Sequence, residues 1–217
     1  MTLLECLIGL ALCALLLNPL LKTSADLVSK QIEYEKSHSL ISEADRALEL
    51  IGRAIRIAGY RNLQPAEWSR QKIGSKNLNP DTYLQIKKGA GYKKSDALTI
   101  QHELSNGVDY DCIGNVITKD RTKNHLALQG FLVDHQSGIT KGKKVNGGSL
   151  ICQSLDRQGR LQNTTLMNGI DGLLIEEINS PQSASSIGPK LFKIKLKVTD
   201  GAKLNLDLER TFSTRNL

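Results

Sequence analysis

The hydrophobic pattern changes character twice along the chain. From Met1 to Leu17 the only polar side chains are Thr2, Glu5 and the thiols of Cys6 and Cys13. With Leu20 and Leu21 this run approaches the ~20 apolar residues that a membrane-spanning helix needs. Asn18 and Pro19 interrupt it near its end. Further on, Leu27, Ile32, Leu40, Ile41, Ala44, Leu48, Ile51, Ile55 and Ala58 recur mainly at helical steps, with Lys30, Glu33, Glu35, Asp45, Arg46, Glu49, Arg53 and Arg56 between them. The pattern predicts one helix from about Thr2 to Ala58, on the order of 85 Å long. Gly59 supplies its stop. Pro19 cannot donate to the preceding turn and predicts a kink or local unwinding there.

Past Gly59 the period shortens to that of strands. Candidate strands are Thr82–Lys87, Ala97–Glu103, Asp111–Ile117, His125–Val133, Leu150–Leu155, Asn163–Met167, Leu173–Ile178, Lys190–Val198 and Ala202–Thr211, separated by Gly, Asn, Asp and Lys clusters. Residues 63–80 read as a connecting loop with Trp68 as a packing anchor. The Gly- and Lys-rich stretch 136–149 and the Ser-rich stretch 179–189 read as exposed loops. The expected architecture is α+β, a long N-terminal transmembrane and stem helix packed on an antiparallel β-sheet domain. It divides into an apolar helix over 1–21, an amphipathic stem over 22–59 and a β-rich globular domain over 60–217.

Composition narrows the function class only a little. The chain has 217 residues, enough for one globular domain plus an appended segment. A formal net charge of +7 favours anionic partners such as nucleic acid, lipid head groups or an acidic protein face. An aromatic content of 4% weakens the case for a base-stacking surface. No Lys or Arg precedes Leu21 and no small-residue cleavage site follows the apolar run, so a cleavable secretory signal does not fit.

Glu5 is the chemically expensive residue of the first segment. An acid within a membrane helix costs up to a few kcal/mol and tends to be kept where it has a partner. The α-amine of residue 1 in a neighbouring copy would serve, if two subunits were staggered along a common axis. The alternative is that Glu5 reaches toward the interface and pairs with nothing.

The opening MTLLE resembles the start of mature type IV pilins and pseudopilins, usually FTLIE, with Met1 departing from the usual Phe. The stretches DRALELIGRAIRIAGYRN, SDALTIQHE, NGIDGLLIEE and LERTFSTRNL resemble PilW-type minor pilins, a group related to the J-type pseudopilins of type II secretion. The resemblance implies a pilin-like fold. It also implies a leader removed by a prepilin peptidase, N-methylation of Met1, and a role for Glu5 in inter-subunit assembly. It implies a single-pass inner-membrane subunit with a periplasmic domain before assembly, and a place in the extracellular pilus afterwards. Its partners would be other minor pilins and the major pilin, in a complex that primes assembly at the tip. The alternatives are a J-type pseudopilin and a pilus-associated DNA-uptake subunit.

An anchored domain outside the inner membrane sits in an oxidising compartment, where Cys112 and Cys152 are expected to form a disulfide. Cys6 and Cys13 read as packing residues of the apolar helix. His38, His102, His125 and His135 have no zinc-site spacing, no Cys-x-x-Cys occurs, and no phosphate loop or nucleophile elbow is present. The sequence therefore implies neither a cofactor nor an enzyme. Lys193, Lys195 and Lys197 alternate with Ile194, Leu196 and Val198, which puts three ammonium groups on one face of a strand. With Lys141, Lys143 and Lys144 of the Gly-rich loop they form a candidate anion or DNA contact. The plainer reading is a solvated face that discourages edge association.

Overall fold

The computed structural model describes residues 3–62, 83–136, 147–178 and 189–216, with the side chain of Glu5 excepted. The expected loop at 63–80 with Trp68, most of the expected loop at 136–149, and all but the last residue of that at 179–189 lie outside them. The chain forms two compact units, Met1–Ile41 and Ser42–Leu217.

Helix α1 runs over Leu3–Ile57. In the first unit it is the whole structure. Every Leu and Ile from Leu3 to Leu21 is exposed, with Leu3 at 81% and Leu15 at 71%. This is the one helix among the described residues that is long and apolar enough to cross a membrane, with mean hydropathy 1.9 over its most apolar window. The helix continues through Pro19, so the expected unwinding does not occur. One turn on, the Thr23 hydroxyl donates to the Pro19 carbonyl at 2.9 Å and approaches that of Leu20 at 3.0 Å.

In the second unit the last turns of α1 are buried along one stripe: Ala44, Ala47, Leu48, Ile51, Ala54, Ile55 and Ala58. Small residues alternate with branched ones, so the backbone approaches the sheet while Leu48, Ile51 and Ile55 fill its grooves. Burial of each of those three contributes roughly 1.5–3 kcal/mol. The helix ends as the sequence predicts. Gly59 takes a φ of 74°, open to glycine at little cost, and its N–H donates to the Gln101 carbonyl at 3.1 Å.

The sheet has seven strands in chain order, all antiparallel: β1 (Leu84–Lys87), β2 (Ala97–Glu103), β3 (Leu126–Asp134), β4 (Gly148–Leu155), β5 (Leu161–Ile178), β6 (Leu191–Thr199) and β7 (Asn205–Ser213). One face carries the core, with Leu98 opposite Phe131, Phe131 opposite Cys152, Ile175 opposite Ile194 and Phe192 opposite Phe212. The α+β layout expected from the pattern is present.

Two expectations are corrected. Asp111–Ile117 is a turn-rich loop with one isolated bridge, Tyr110 to Val116, because the Asp111 side chain accepts the Ile113 and Asn115 N–H groups and curls the chain. The segments Asn163–Met167 and Leu173–Ile178 belong to one strand, β5. The expected turn at Asn168–Gly172 is a bulge instead, with Gly169 at a φ of 78° and a register shift between Ile170 and Gly172.

That bulge lets β5 change partners. Residues 161–170 pair with β4, and 170–178 pair with β6. The second half would leave an unpaired edge where β4 ends. The turn after β1 fills it. Asp96 donates its N–H to the Leu173 carbonyl at 2.8 Å and accepts the Ile175 N–H at 2.8 Å, and the Ser95 hydroxyl accepts the Leu173 N–H at 3.3 Å. The buried Asp96 carboxylate also accepts the Gly89 N–H and the Lys88 ammonium, both at 3.0 Å.

Gly52 sits on α1 directly against β7, where a Cβ atom would overlap the Phe212 ring. Gly52→Ala is expected to lower stability by about 1–3 kcal/mol. Adding Phe212→Leu should recover part of that loss, as read from denaturant midpoints of the detergent-solubilised chain. No recovery would show that the overlap with the Phe212 ring is not the cause, since alanine by itself favours the helix.

Candidate functional site

The strand-derived surface next to α1 is organised by the 104–125 loop between β2 and β3. The Cys112–Cys152 disulfide ties this loop to the middle of β4, with Cα atoms 6.2 Å apart and a sequence separation of 40. The expected pairing is therefore present. Cys6 and Cys13 are free and exposed in the first unit.

A second tie lies beside it and has no counterpart in the sequence reading. Arg121 donates to the Asp111 carboxylate at 2.8 Å, and both side chains are buried, at 10% and 1% exposure. The same guanidinium donates to the Leu155 carbonyl at 2.8 Å and the Val116 carbonyl at 3.2 Å. Burial makes such a pair costly unless its remaining hydrogen-bonding capacity is filled, and here backbone groups fill it. Beneath the loop, His102 and Gln129 extend the polar contacts into the core. The His102 Nδ1–H donates to the Glu103 carbonyl at 2.9 Å, leaving Nε2 to face the Gln129 amide at 3.4 Å. That amide donates to the Tyr110 carbonyl at 3.2 Å.

Held this way, the loop forms one wall of a groove of about 490 Å³. The opposite wall is α1, through Arg46, Glu49, Leu50 and Arg53. The loop contributes Tyr110 and Ile113 beside the disulfide. Tyr110 is 58% exposed and Ile113 37%, so the groove is apolar at its loop wall. Glu49 accepts from Arg56 at 2.7 Å and lies 3.8 Å from Arg53. The sequence signal for this groove was the run Asp111–Asn115, where an Asp, a Gly and an Asn close together mark a turn rather than a strand.

The lysine row lies on the opposite face of β6 from its buried residues. The acids that face it come from β7 and, through Glu176 opposite Lys193, from β5. Lys193 pairs with Glu209 at 2.7 Å, and Lys195 with Asp207 at 2.8 Å. The row is thus locally compensated by a facing acidic row. Lys141, Lys143, Lys144 and Met1 lie outside the described residues. Glu5 is within α1, and nothing of its side chain is described. Among the described residues no three His, Cys, Asp or Glu side chains gather as a metal site. Comparison with family models, with curated proteins and with solved structures finds no match.

The hydrogen bond from Lys195 holds the Asp207 carboxyl below its usual range, and the same bond holds the Lys195 ammonium above its own. A depressed carboxyl contributes stability above its unfolded pKa and loses it as pH falls through the folded one. A raised ammonium keeps its contribution until pH rises through its folded pKa. Asp207→Asn should therefore lower the thermal midpoint at neutral pH, and the gap to wild type should close on acidification below the ordinary carboxylate range. A gap independent of pH would overturn the pairing.

Alkylation of the unfolded chain should modify two thiols before reduction and four after it. Cys152→Ser should cost about 4 kcal/mol, the chain-entropy value for a loop of this length. Reductant should then shift the denaturant midpoint of wild type and leave that of the variant unchanged.

Proposed function

We propose that this chain is a minor pilin of the PilW type, a structural subunit that helps prime and assemble a type IV pilus. The observation that carries the reading is the continuity of α1. An entirely exposed apolar segment, opening on MTLLE, passes without a break into turns buried in an antiparallel α+β domain. Water does not tolerate so much aliphatic surface. A bilayer does, and so does a bundle of like helices.

In this reading the segment over 1–21 anchors the subunit in the inner membrane before assembly and packs in the filament core afterwards. Glu5 neutralises the terminal amine of a neighbour and sets the stagger. The β-rich domain stands in the periplasm, where the Cys112–Cys152 disulfide persists, and then on the pilus surface. The role is one of binding and assembly rather than catalysis, with other minor pilins and the major pilin as partners and a prepilin peptidase as the processing enzyme. The ion-paired lysine row gives the DNA-uptake reading no added support.

The test scores surface pili and secreted enzymes together, in cells carrying Glu5→Ala in place of the native gene. The expected result is sparse pili, normal secretion and an intact disulfide in the subunit left in the membrane. Normal incorporation of the variant would overturn the pairing role. Intact pili with failed secretion would move the protein to a type II secretion filament.

A further inference from the structure

The groove carries positive charge that its own acids do not neutralise. Of the two acids lining it, Asp111 is paired with Arg121 at 2.8 Å and Glu49 with Arg56 at 2.7 Å. Both of those arginines lie outside the lining, so each acid already has its partner. Arg46 and Arg53 are left over. The Arg46 side chain makes no ion pair or hydrogen bond among the described residues. The Arg53 side chain is 72% exposed and stands 3.8 Å from Glu49, further off than Arg56. With Leu50 the two form a row at steps of four and three residues on one side of α1, the arginines about 10 Å apart along the axis.

The facing wall is apolar and fixed. Val108, Tyr110, Ile113 and Val116 are exposed at 60%, 58%, 37% and 47%, all in one loop. Tyr110 and Ile113 line the groove, and Val116 pairs with Tyr110 across the isolated bridge. The disulfide, the buried Asp111–Arg121 pair and the Gln129 bond to the Tyr110 carbonyl hold this wall in place. Little ordering is then left to be lost when something binds to it.

We propose that the groove between α1 and the disulfide-tied loop is a docking site for a peptide segment of a different protein, acidic along one side and apolar along the other. Carboxylates of the segment take Arg46 and Arg53, whose planar guanidiniums match a carboxylate with two parallel hydrogen bonds. Its apolar side chains cover Tyr110, Ile113 and Leu50. Tyrosine and arginine are the residues that most often dominate the binding energy of such contacts. A phosphate backbone would use the arginines and leave Ile113 and Val116 in water. A second copy of this chain carries the same net charge of +7 and is repelled rather than drawn in. Every residue of the site belongs to the second compact unit. That the partner is a neighbouring subunit of a filament rests on the assembly reading, and the surface itself does not.

The test selects a display library of random short peptides on the full-length chain in detergent. Peptides that also bind the Arg46→Ala, Arg53→Ala double variant are removed, which discards those held by the apolar end of α1. The expected winners carry Asp or Glu interspersed with Leu, Ile, Val or Phe. Fluorescence polarisation of one labelled winner should show affinity falling about tenfold or more in the double variant, in Tyr110→Ser and at high salt. Arg46→Glu with Arg53→Glu should bind the version of that peptide whose acids are replaced by lysine. All three side chains are exposed, and an intact disulfide in each variant confirms folding. A selection that yields no winners, or winners without acids, overturns the proposal. So does duplex DNA that binds through the arginines and ignores Tyr110→Ser, which would assign the surface to nucleic acid. Self-association of the chain that the double variant abolishes would assign it to a second copy and overturn the proposal equally. Winners found while Glu5→Ala incorporates normally would sink the filament role of Glu5 and leave the groove standing. No winners while Glu5 proves essential would sink the groove alone.

Discussion

One helix in this chain carries more apolar surface than its own domain can cover. From Ala44 onward the stripe is spent on the sheet, where Leu48, Ile51 and Ile55 have no exposed area. Before Leu21 the same kind of surface is exposed among the described residues. Because the backbone hydrogen bonds of an α-helix are internal, that segment is self-sufficient in lipid as well as in a bundle. The rest of the molecule follows from this division. The sheet must hold the buried end of α1 rigidly, and its loops must leave the helix's other faces free.

The sheet meets the first demand through residues that let backbones come close. Gly52 brings α1 onto the Phe212 ring, and Arg56, one turn further along the same helix, lies 5.8 Å from the centre of that ring. Arg210, at the β7 position opposite Ile194, reaches Asp45 on the helix at 3.1 Å. The partner change within β5 adds curvature, and Asp96 satisfies the edge it opens. At Ile175 a carboxylate does this where a hydrophobic side chain could not, since the group to be satisfied is a backbone N–H donor.

The second demand falls on the 104–125 loop. A loop this long between adjacent strands would ordinarily be loose. Here a covalent bond and a buried ion pair fix it at neighbouring points, Cys112 to β4 and Asp111 to Arg121. The result is a wall with exposed Tyr110 and Ile113 standing opposite charged residues of α1.

Periodicity alone determined the long helix, its stop at Gly59, the antiparallel β-rich domain and most of the strands. These depend on local chemistry: the alternation of side chains, the absence of a Cβ at a positive φ, and an apolar run too long for a soluble core. The Cys112–Cys152 pairing was legible too, once the compartment was inferred. What the sequence did not disclose was decided by contacts distant along the chain. Asn168–Gly172 carries every mark of a turn, yet it runs on as a strand because β4 and β6 grip it from opposite sides. Asp111–Ile117 mixes apolar residues with the turn formers Asp111, Gly114 and Asn115, and it curls because Asp111 finds its own backbone and Arg121. The lysines of β6 look like a cationic patch until β7 sets Asp207 and Glu209 against them. The groove exists only where α1 and a loop some sixty residues away meet, a distance over which no local pattern carries information.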